Sequence, residues 1–143
     1  SRGLGDVYKR QPWKIGIANP RNEDGESYLG SLTIDGTCSI STSGDYEKTF
    51  TDKKTGKRYF HILDSKTGYS VKTDIRSCTI ICNSGLNADG LSTACFSLGV
   101  KKSQKLLKEY NAKAVFVDKN NKVYVSDGVE FTLTAKDYKI LNL

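Results

Sequence analysis

An alternation of apolar and polar residues predicts short β-strands along most of this 143-residue chain. The pattern is clear in Trp13–Ala18, which ends at the turn signal Asn19-Pro20, and in the nearly uncharged stretch 77–82, which is typical of a central strand. Further strands are predicted at 28–34, 37–42, 58–62, 114–118, 122–126 and 129–134, with polar loops at 21–26 and 49–57. Most of these strands are joined by tight turns, so we expect a largely antiparallel sheet.

Two helices are predicted in the second half of the chain. Residues 88–98 carry apolar residues at helical spacing, with Asn87 as N-cap and Gly99 where a C-terminal glycine is usual. Residues 103–110 form a second, amphipathic pattern. Short strands together with two main helices that are grouped late in the chain indicate an α+β fold with a mostly antiparallel sheet.

The first residues do not join this pattern. Residues 1–11 (SRGLGDVYKRQ) have no apolar period and resemble a translated sequencing adaptor. We therefore predict that they are non-native, and that residues 12–143 form the C-terminal part of one domain.

Charge and cysteine content exclude several functions. The formal charge of +6 is carried mainly by lysines after residue 100, whereas residues 12–99 hold ten basic and ten acidic side chains. There is no arginine-rich stripe, so we expect a solvated surface and no nucleic-acid binding. No stretch reaches the ~18 apolar residues of a transmembrane helix. The four cysteines lack CxxC spacing and a second Cys/His pair, which argues against a zinc site. We expect them to be small buried hydrophobic residues, and a disulfide between two of them remains an alternative. They are Cys38, Cys78, Cys82 and Cys95.

Three segments carry candidate chemistry. The stretch 42–46 (TSGDY) is predicted to be a turn whose Ser43-Gly44 amides suit a phosphate, or simply a turn. The stretch 61–68 (HILDSKTG) contains His61, the one histidine of the chain, which suits a general base but is more often structural. In the stretch 88–94 (ADGLSTA), a helix places Asp89 and Thr93 on one face, where they could bind Mg²⁺ or serve as a helix-end charge and a surface hydroxyl.

The order of these motifs resembles a known family. The succession W-x-I-G-I-x-x-P, T-S-G-D-Y-E, G-K-R-Y-x-H-I-L-D-x-x-T-G and A-D-G-L-S-T-A-x-x-x-L-G is similar to the C-terminal half of the ApbE-like FAD:protein FMN transferases. The resemblance covers residues 13–99 well and the remaining tail loosely. It implies the C-terminal portion of an ApbE-like flavin transferase fold.

The resemblance also implies an activity and a set of site residues. Members of this family split FAD with Mg²⁺, transfer FMN to a Thr or Ser hydroxyl of a redox protein, and release AMP. On that basis Asp89 and Thr93 would bind the metal. His61 or Asp64 would be the catalytic base, with Asp64 alternatively orienting the imidazole. Flavin contacts would come from Ser43, Gly44, Asp45, His61, Thr67 and Gly68.

The sequence departs from the family pattern in two places. Ser65 replaces a proline after Asp64, and the family's N-terminal half is missing, so the chain is expected to be a fragment. A non-catalytic flavin-binding fragment or scaffold, and a pyrophosphatase that cleaves FAD to FMN and AMP, are the alternatives. The segment 89–95 is also similar to the acceptor motif of flavinylated proteins, but Cys95 stands where that motif has its hydroxyl.

The resemblance finally implies partners and a location. The partners would be FAD and an acceptor redox protein that bears the Thr/Ser flavinylation motif. The location would be the bacterial cell envelope, with the protein exported or anchored as a lipoprotein. Contact with a membrane would be made only through an N-terminal lipid anchor that this chain does not contain.

Overall fold

The computed structural model describes residues 11–21 and 27–143. In that part of the chain ten strands and two helices form an α+β fold, which confirms the predicted class. The predicted non-native segment lies almost wholly outside the described residues, as does most of the predicted polar loop 21–26. The elements are β1 Trp13–Ala18, β2 Tyr28–Ile34, β3 Ser39–Gly44, β4 Thr49–Thr51, β5 Arg58–Phe60, β6 Ile75–Cys82, α1 Gly85–Leu98, α2 Val100–Glu109, β7 Lys113–Asp118, β8 Lys122–Val125, β9 Glu130–Leu133 and β10 Lys139–Asn142.

The strands form three sheets. The largest has the order β10-β8-β7-β6-β3 and is antiparallel except where β10 lies parallel to β8. A three-stranded antiparallel sheet has the order β1-β2-β9, and β4 pairs with β5 as a separate hairpin. The stretch predicted to be central is indeed the buried strand β6, which has β3 on one side and β7 on the other.

Side chains alternate between two hydrophobic layers on either side of the largest sheet. Cys78 and Ile80 of β6 and Phe116 of β7 belong to the cluster that also contains the buried residues of α1. Ile81 and Val115, one position along each strand, belong to the cluster formed with β1 and β2. This period of two places the helices on one face of the sheet and the three-stranded sheet on the other.

Both helices begin three residues before their predicted starts, α2 at Val100 where residue 103 was predicted. Helix α1 begins at Gly85, three residues before the predicted start, because Ser84 caps it by accepting a hydrogen bond from the Asn87 N–H at 3.3 Å. Gly99 ends α1 with φ +78°, as predicted, and α2 follows at once. No helix in residues 11–21 or 27–143 is long and apolar enough to cross a membrane.

One predicted loop, one predicted strand and the end of the chain differ from the structure. The loop predicted at 49–57 contains β4, and the strand predicted at 37–42 runs instead from Ser39 to Gly44. The chain end, for which no element was predicted, contains β10. Three of the four cysteines are buried as expected, whereas Cys38 is partly exposed.

Candidate functional site

The first part of the site is formed where β3 packs against α1. Ser41 and Ser43 lie two residues apart in the edge strand β3 and therefore point to the same side of the sheet. The Ser43 Oγ lies 2.8 Å from Ser92 Oγ and 3.1 Å from Thr93 Oγ1. Ser41 Oγ donates to Asp89 Oδ1 at 3.3 Å. We call the side-chain oxygens of these five residues the oxygen cluster.

The helix presents its share of the oxygen cluster in two ways. Asp89 and Thr93 are four residues apart, lie on one face of α1 as predicted, and are exposed. Ser92 is completely buried, and its hydroxyl donates to the Asp89 carbonyl at 2.9 Å. The buried serine thus joins the helix to the strand beneath the two exposed groups.

Sequence reasoning missed Ser41 and Ser92. Ser41 could have been found from its spacing of two from Ser43, but only if 39–44 had been recognised as a strand. Ser92 lies three residues after Asp89, a spacing that also places it on the same side of the helix.

Ser43 and Gly44, which were predicted to form a phosphate-binding turn, belong to the strand β3 instead. Ser43 and Gly44 pair with Cys78 and Ser77 of β6, and the bend begins only at Asp45. Ser43 therefore contributes its hydroxyl to the site. Gly44 allows the Tyr46 ring to approach, since a Cβ at position 44 would lie 2.4 Å from a ring carbon.

Asp45 points away from solvent. Its side chain is 8% exposed, and its Oδ1 has no hydrogen-bond partner within residues 11–21 and 27–143. Burial raises the pKa of this carboxyl, and the neighbouring charges of Arg76, Arg58 and Lys119 partly oppose the increase. The surroundings of the Asp45 carboxylate are therefore cationic, and its contacts are distinct from those of the oxygen cluster.

The second part of the site is the segment 61–70, which we call the histidine loop. His61 directly follows β5, is exposed, and has its Nδ1 3.3 Å from the Glu47 carbonyl oxygen. A carbonyl only accepts, so this contact requires the proton on Nδ1 and leaves Nε2 available as a base.

A local turn shapes the rest of the histidine loop. Asp64 Oδ1 accepts from the Lys66 N–H at 2.8 Å, and the Asp64 carbonyl accepts from the Gly68 N–H at 2.8 Å. Gly68 has φ +70°, which favours glycine. The turn thus forms with Ser65 in place of proline. Asp64 Oδ1 bonds to the turn and the imidazole Nδ1 contacts the Glu47 carbonyl, so the orientation of His61 by Asp64 stays a prediction.

Hydrophobic packing connects the histidine loop to the helix of the oxygen cluster. Ile62 is 6% exposed and lies in the same core cluster as four residues of α1. The rings of Phe60 and Phe96 form a T-shaped pair at a centroid distance of 5.8 Å, and Thr73 Oγ1 donates to the Phe96 carbonyl at 2.9 Å. Asp89 and His61 are therefore held by one core, although no hydrogen bond described here joins them.

A basic cleft of about 790 Å³ lies beside the histidine loop. Its walls include Asp64 and Thr67 of the loop and the cations Lys57, Arg58 and Lys119. Lys119 Nζ also donates to the Thr73 carbonyl at 2.6 Å. The cleft carries the charge expected for binding of an anionic group.

The described residues contain no group of three or more His, Cys, Asp and Glu side chains that could hold a metal ion. In the oxygen cluster, Asp89 is the one carboxylate, and the other donors are hydroxyls. Hard oxygen donors of this kind do not suit a soft metal ion.

Solved structures of flavin transferases have a similar fold. The ApbE protein of Thermotoga maritima superimposes with a TM-score of 0.63 at 30% identity, over 89% of this chain and 37% of that protein. The flavin transferase ApbE of Vibrio cholerae gives 0.57 at 27% identity, and the flavinyl transferase ApbE of Pseudomonas stutzeri 0.54 at 35% identity. The arrangement of helices and sheets is therefore that of about a third of each of these ApbE structures.

Sequence comparison identifies the family. The sequence model of the ApbE family matches residues 1–116, and the chain belongs to this family. It is 38% identical to an FAD:protein FMN transferase of Klebsiella pneumoniae over 123 residues and to one of Treponema pallidum over 122 residues. These matches cover 85% of this chain but 38% and 33% of the relatives, so the chain spans about a third of their length.

Proposed function

We propose that this chain is part of an FAD:protein FMN transferase, an enzyme that moves FMN from FAD to a Thr or Ser hydroxyl of a redox protein. The single observation that carries the proposal is the oxygen cluster, in which Asp89 and Thr93 stand exposed on α1. Membership of the ApbE family supports it, since relatives are named for this reaction.

The chemistry can be written in balance. The acceptor oxygen forms a bond to the phosphorus of the FMN half, the bond between the two phosphates of FAD breaks, and AMP leaves with the electron pair. The acceptor hydroxyl loses its proton to a base. Such a transfer depends mainly on positioning and on neutralising charge at the phosphate oxygens, while a base activates the poor nucleophile.

Asp89 and Thr93 are proposed to hold Mg²⁺. This ion is bound by one or two carboxylates, keeps several waters and takes up substrate phosphates, which fits a cluster of one carboxylate and several hydroxyls. Bound there, it would supply charge neutralisation at the diphosphate. Ser41 and Ser43 would orient the two ligands through the hydrogen bonds to Asp89 and Thr93.

His61 is the better candidate for the base. Its Nδ1 is engaged with the Glu47 carbonyl, which leaves Nε2 free to take the proton, whereas the Asp64 carboxylate bonds to the Lys66 N–H. Flavin contacts are proposed for Ser43, Gly44, Asp45, Thr67 and Gly68, as in the family. The basic cleft beside Thr67 supports a site for an anionic ligand there.

Two other functions have support of their own. His61, Asp89 and Thr93 are exposed, so water could replace the acceptor hydroxyl, and the chain would then be a pyrophosphatase that forms FMN and AMP. A non-catalytic flavin-binding fragment or scaffold is the second alternative, and the basic cleft beside Thr67 supports binding of an anionic ligand without chemistry. An exported or lipid-anchored location at the bacterial envelope is part of the proposal by family alone.

Incubation with FAD, Mg²⁺ and an acceptor peptide containing Thr distinguishes these functions. Fluorescence that stays with the peptide on a denaturing gel indicates transfer, and AMP without labelling indicates hydrolysis. If neither labelled peptide nor AMP appears, but the fluorescence of FAD is quenched on binding, the chain is a flavin-binding fragment. The transferase proposal then fails for it.

The Asp89→Ala variant tests the metal ligand, with binding as its readout. Removing a group that merely orients a ligand costs roughly 10–100-fold in metal affinity, so losing the ligand itself should weaken Mg²⁺-dependent FAD binding at least that much. Asp127→Ala removes an exposed carboxylate from the turn after β8 and is the matched control. Equal FAD binding by both variants across a Mg²⁺ titration would rule out Asp89 as a ligand.

A further inference from the structure

An exposed group of large apolar side chains covers the β4–β5 hairpin and the histidine loop. Phe50, Leu63 and Tyr69 are 65%, 59% and 63% exposed. The rings of Phe50 and Tyr59 stack with centroids 5.2 Å apart, and those of Tyr59 and Tyr69 lie 6.3 Å apart. We call these four residues the aromatic patch. A contiguous apolar surface of this kind marks an interaction site more often than scattered apolar residues do.

The aromatic patch is shaped to receive another molecule. It borders a concavity of about 400 Å³ whose lining contains all four patch residues. The hairpin that carries Phe50 and Tyr59 pairs with no other strand among the described residues, so it lies apart from the two larger sheets. Aromatic rings in such a position offer a large contact area with little loss of conformational freedom.

Cations surround the aromatic patch. Lys57 Nζ lies 5.2 Å from the Tyr59 ring centroid and 5.9 Å from that of Tyr69. Lys53 and Lys54 are exposed at the turn of the hairpin, and Lys66 is exposed in the histidine loop. This lysine rim favours a partner that carries acidic residues, because complementary charge speeds association and selects partners.

One acidic side chain in the concavity does not cancel this charge. Asp52 accepts from the Lys54 N–H at 2.9 Å and from the Thr55 hydroxyl at 2.6 Å. Its carboxylate is thus engaged within the hairpin turn. The carboxylate keeps its negative charge, but the four exposed lysines of the rim, Lys53, Lys54, Lys57 and Lys66, outnumber it.

The position of the aromatic patch points to the kind of partner. Tyr59 lies two residues before His61, and Leu63 two residues after it. A protein seated on the patch would therefore have its chain beside the proposed base. The proposed transfer has a protein as its second substrate, and the hydroxyl of that substrate must reach this base.

We propose that the aromatic patch and its lysine rim dock the acceptor protein through an acidic segment with apolar side chains next to the accepting hydroxyl. The inference rests on the proposed function for the identity of the partner. It assigns recognition of the acceptor to a surface separate from the oxygen cluster. The patch then determines which protein is modified, and the oxygen cluster determines what is transferred.

The test measures binding of a fluorescein-labelled peptide that has one Thr flanked by Asp, Glu and Leu. The comparison peptide has Asn and Gln in place of the acidic residues. The acidic peptide is expected to bind more tightly and to lose affinity as salt rises. Phe50→Ala should weaken its binding by roughly tenfold or more. Tyr28→Ala, at an aromatic ring of equal exposure on β2, should not.

Charge reversal gives a second, independent comparison. Lys53→Glu with Lys54→Glu should abolish the preference for the acidic peptide. Lys101→Glu with Lys102→Glu, at exposed lysines of α2, changes the net charge equally and should leave the preference intact. Equal losses in both double variants, or equal binding of the two peptides by the unaltered chain, would overturn the docking surface.

FAD binding separates this inference from the proposed function. If Phe50→Ala weakens FAD binding instead of peptide binding, the patch is a flavin contact and the docking assignment is wrong. If the chain binds FAD with Mg²⁺ but no peptide, the docking surface alone fails. If it binds the acidic peptide but neither binds nor cleaves FAD, the flavin transferase proposal fails, and with it the identity of the partner.

Discussion

The oxygen cluster and the histidine loop are held in place by different means. The oxygen cluster lies between an edge strand and a helix, and β3 is paired with β6 along its whole length. Its central side chain, Ser92, is completely buried. The histidine loop depends instead on short-range bonds such as those within the Asp64 turn, and on one buried anchor, Ile62.

This difference has a consequence for function. Groups fixed by long-range packing open only when a large part of the fold opens, whereas a surface loop opens at lower cost. The proposed metal ligands thus belong to the rigid part of the molecule, and the proposed base and docking patch to the adaptable part. Such a division suits a site that must hold one small ligand still and admit a protein.

Phe96→Ala is the change expected to have the largest effect, because Phe96 supports both regions. The side chain is completely buried, lies on α1 three residues after Thr93, and contacts the ring of Phe60 beside His61. Truncation of a buried Phe typically costs about 3–5 kcal/mol. We expect the melting temperature to fall by roughly 10 °C, as measured by thermal denaturation.

Phe50→Ala serves as the control for this prediction. Phe50 is 65% exposed, so the same truncation there should change the free energy of unfolding by less than about 1 kcal/mol. If Phe96→Ala destabilised the chain no more than Phe50→Ala, the two regions would not share a core.

Sequence reasoning located most of the elements because their patterns depend on neighbouring residues. The strand β6, the hairpin β7–β8 and the face shared by Asp89 and Thr93 follow from periods of two and of about four residues. Gly99 was found because its left-handed conformation favours glycine.

The errors arose where distant residues decide the structure. The Ser-Gly-Asp composition of 43–45 favours a turn, yet Ser43 and Gly44 remain in a strand because β6 supplies a full ladder of backbone partners. The strand β10 exists only because β8 is beside it in parallel. The helix start was misjudged because Leu86 is 84% exposed and continues no apolar stripe.

Asp64→Ala should affect the histidine loop alone. It removes the hydrogen bond from the Lys66 N–H, a bond of the kind that contributes about 1 kcal/mol, and the loop should open more often. Hydrogen exchange at the amides of residues 66–68 should become several-fold faster, while exchange in α1 stays unchanged.

Asp52→Ala is the matched control for the loop. Asp52 makes the same kind of bond, to the Lys54 N–H at 2.9 Å, but in the hairpin turn. Its loss should leave exchange at residues 66–68 as it is. Faster exchange in α1 of the Asp64 variant would contradict a purely local role of the Asp64 turn in the histidine loop.

Asp45→Asn is expected to have the smallest effect, and one that depends on pH. Asp45 lies where β3 ends and the chain leaves for the hairpin, so it marks the boundary between the two regions. Burial raises the pKa of its carboxyl above the ordinary value of 3.8. Between that value and the raised one, the folded chain binds more protons than the unfolded chain, so the contribution of Asp45 to stability falls as pH rises.

The asparagine variant cannot ionise and should not show this decline. The free energy of unfolding of Asp45→Asn minus that of the unaltered chain should therefore increase as pH rises above about 4, as measured by urea denaturation at a series of pH values. Asp127→Asn, which removes one charge from an exposed turn, should give a difference that varies less with pH. A difference that decreases with pH would mean that the charges of Arg76 and Arg58 lower the pKa of Asp45 by more than burial raises it. The bend after β3 would then be stabilised by charge pairing.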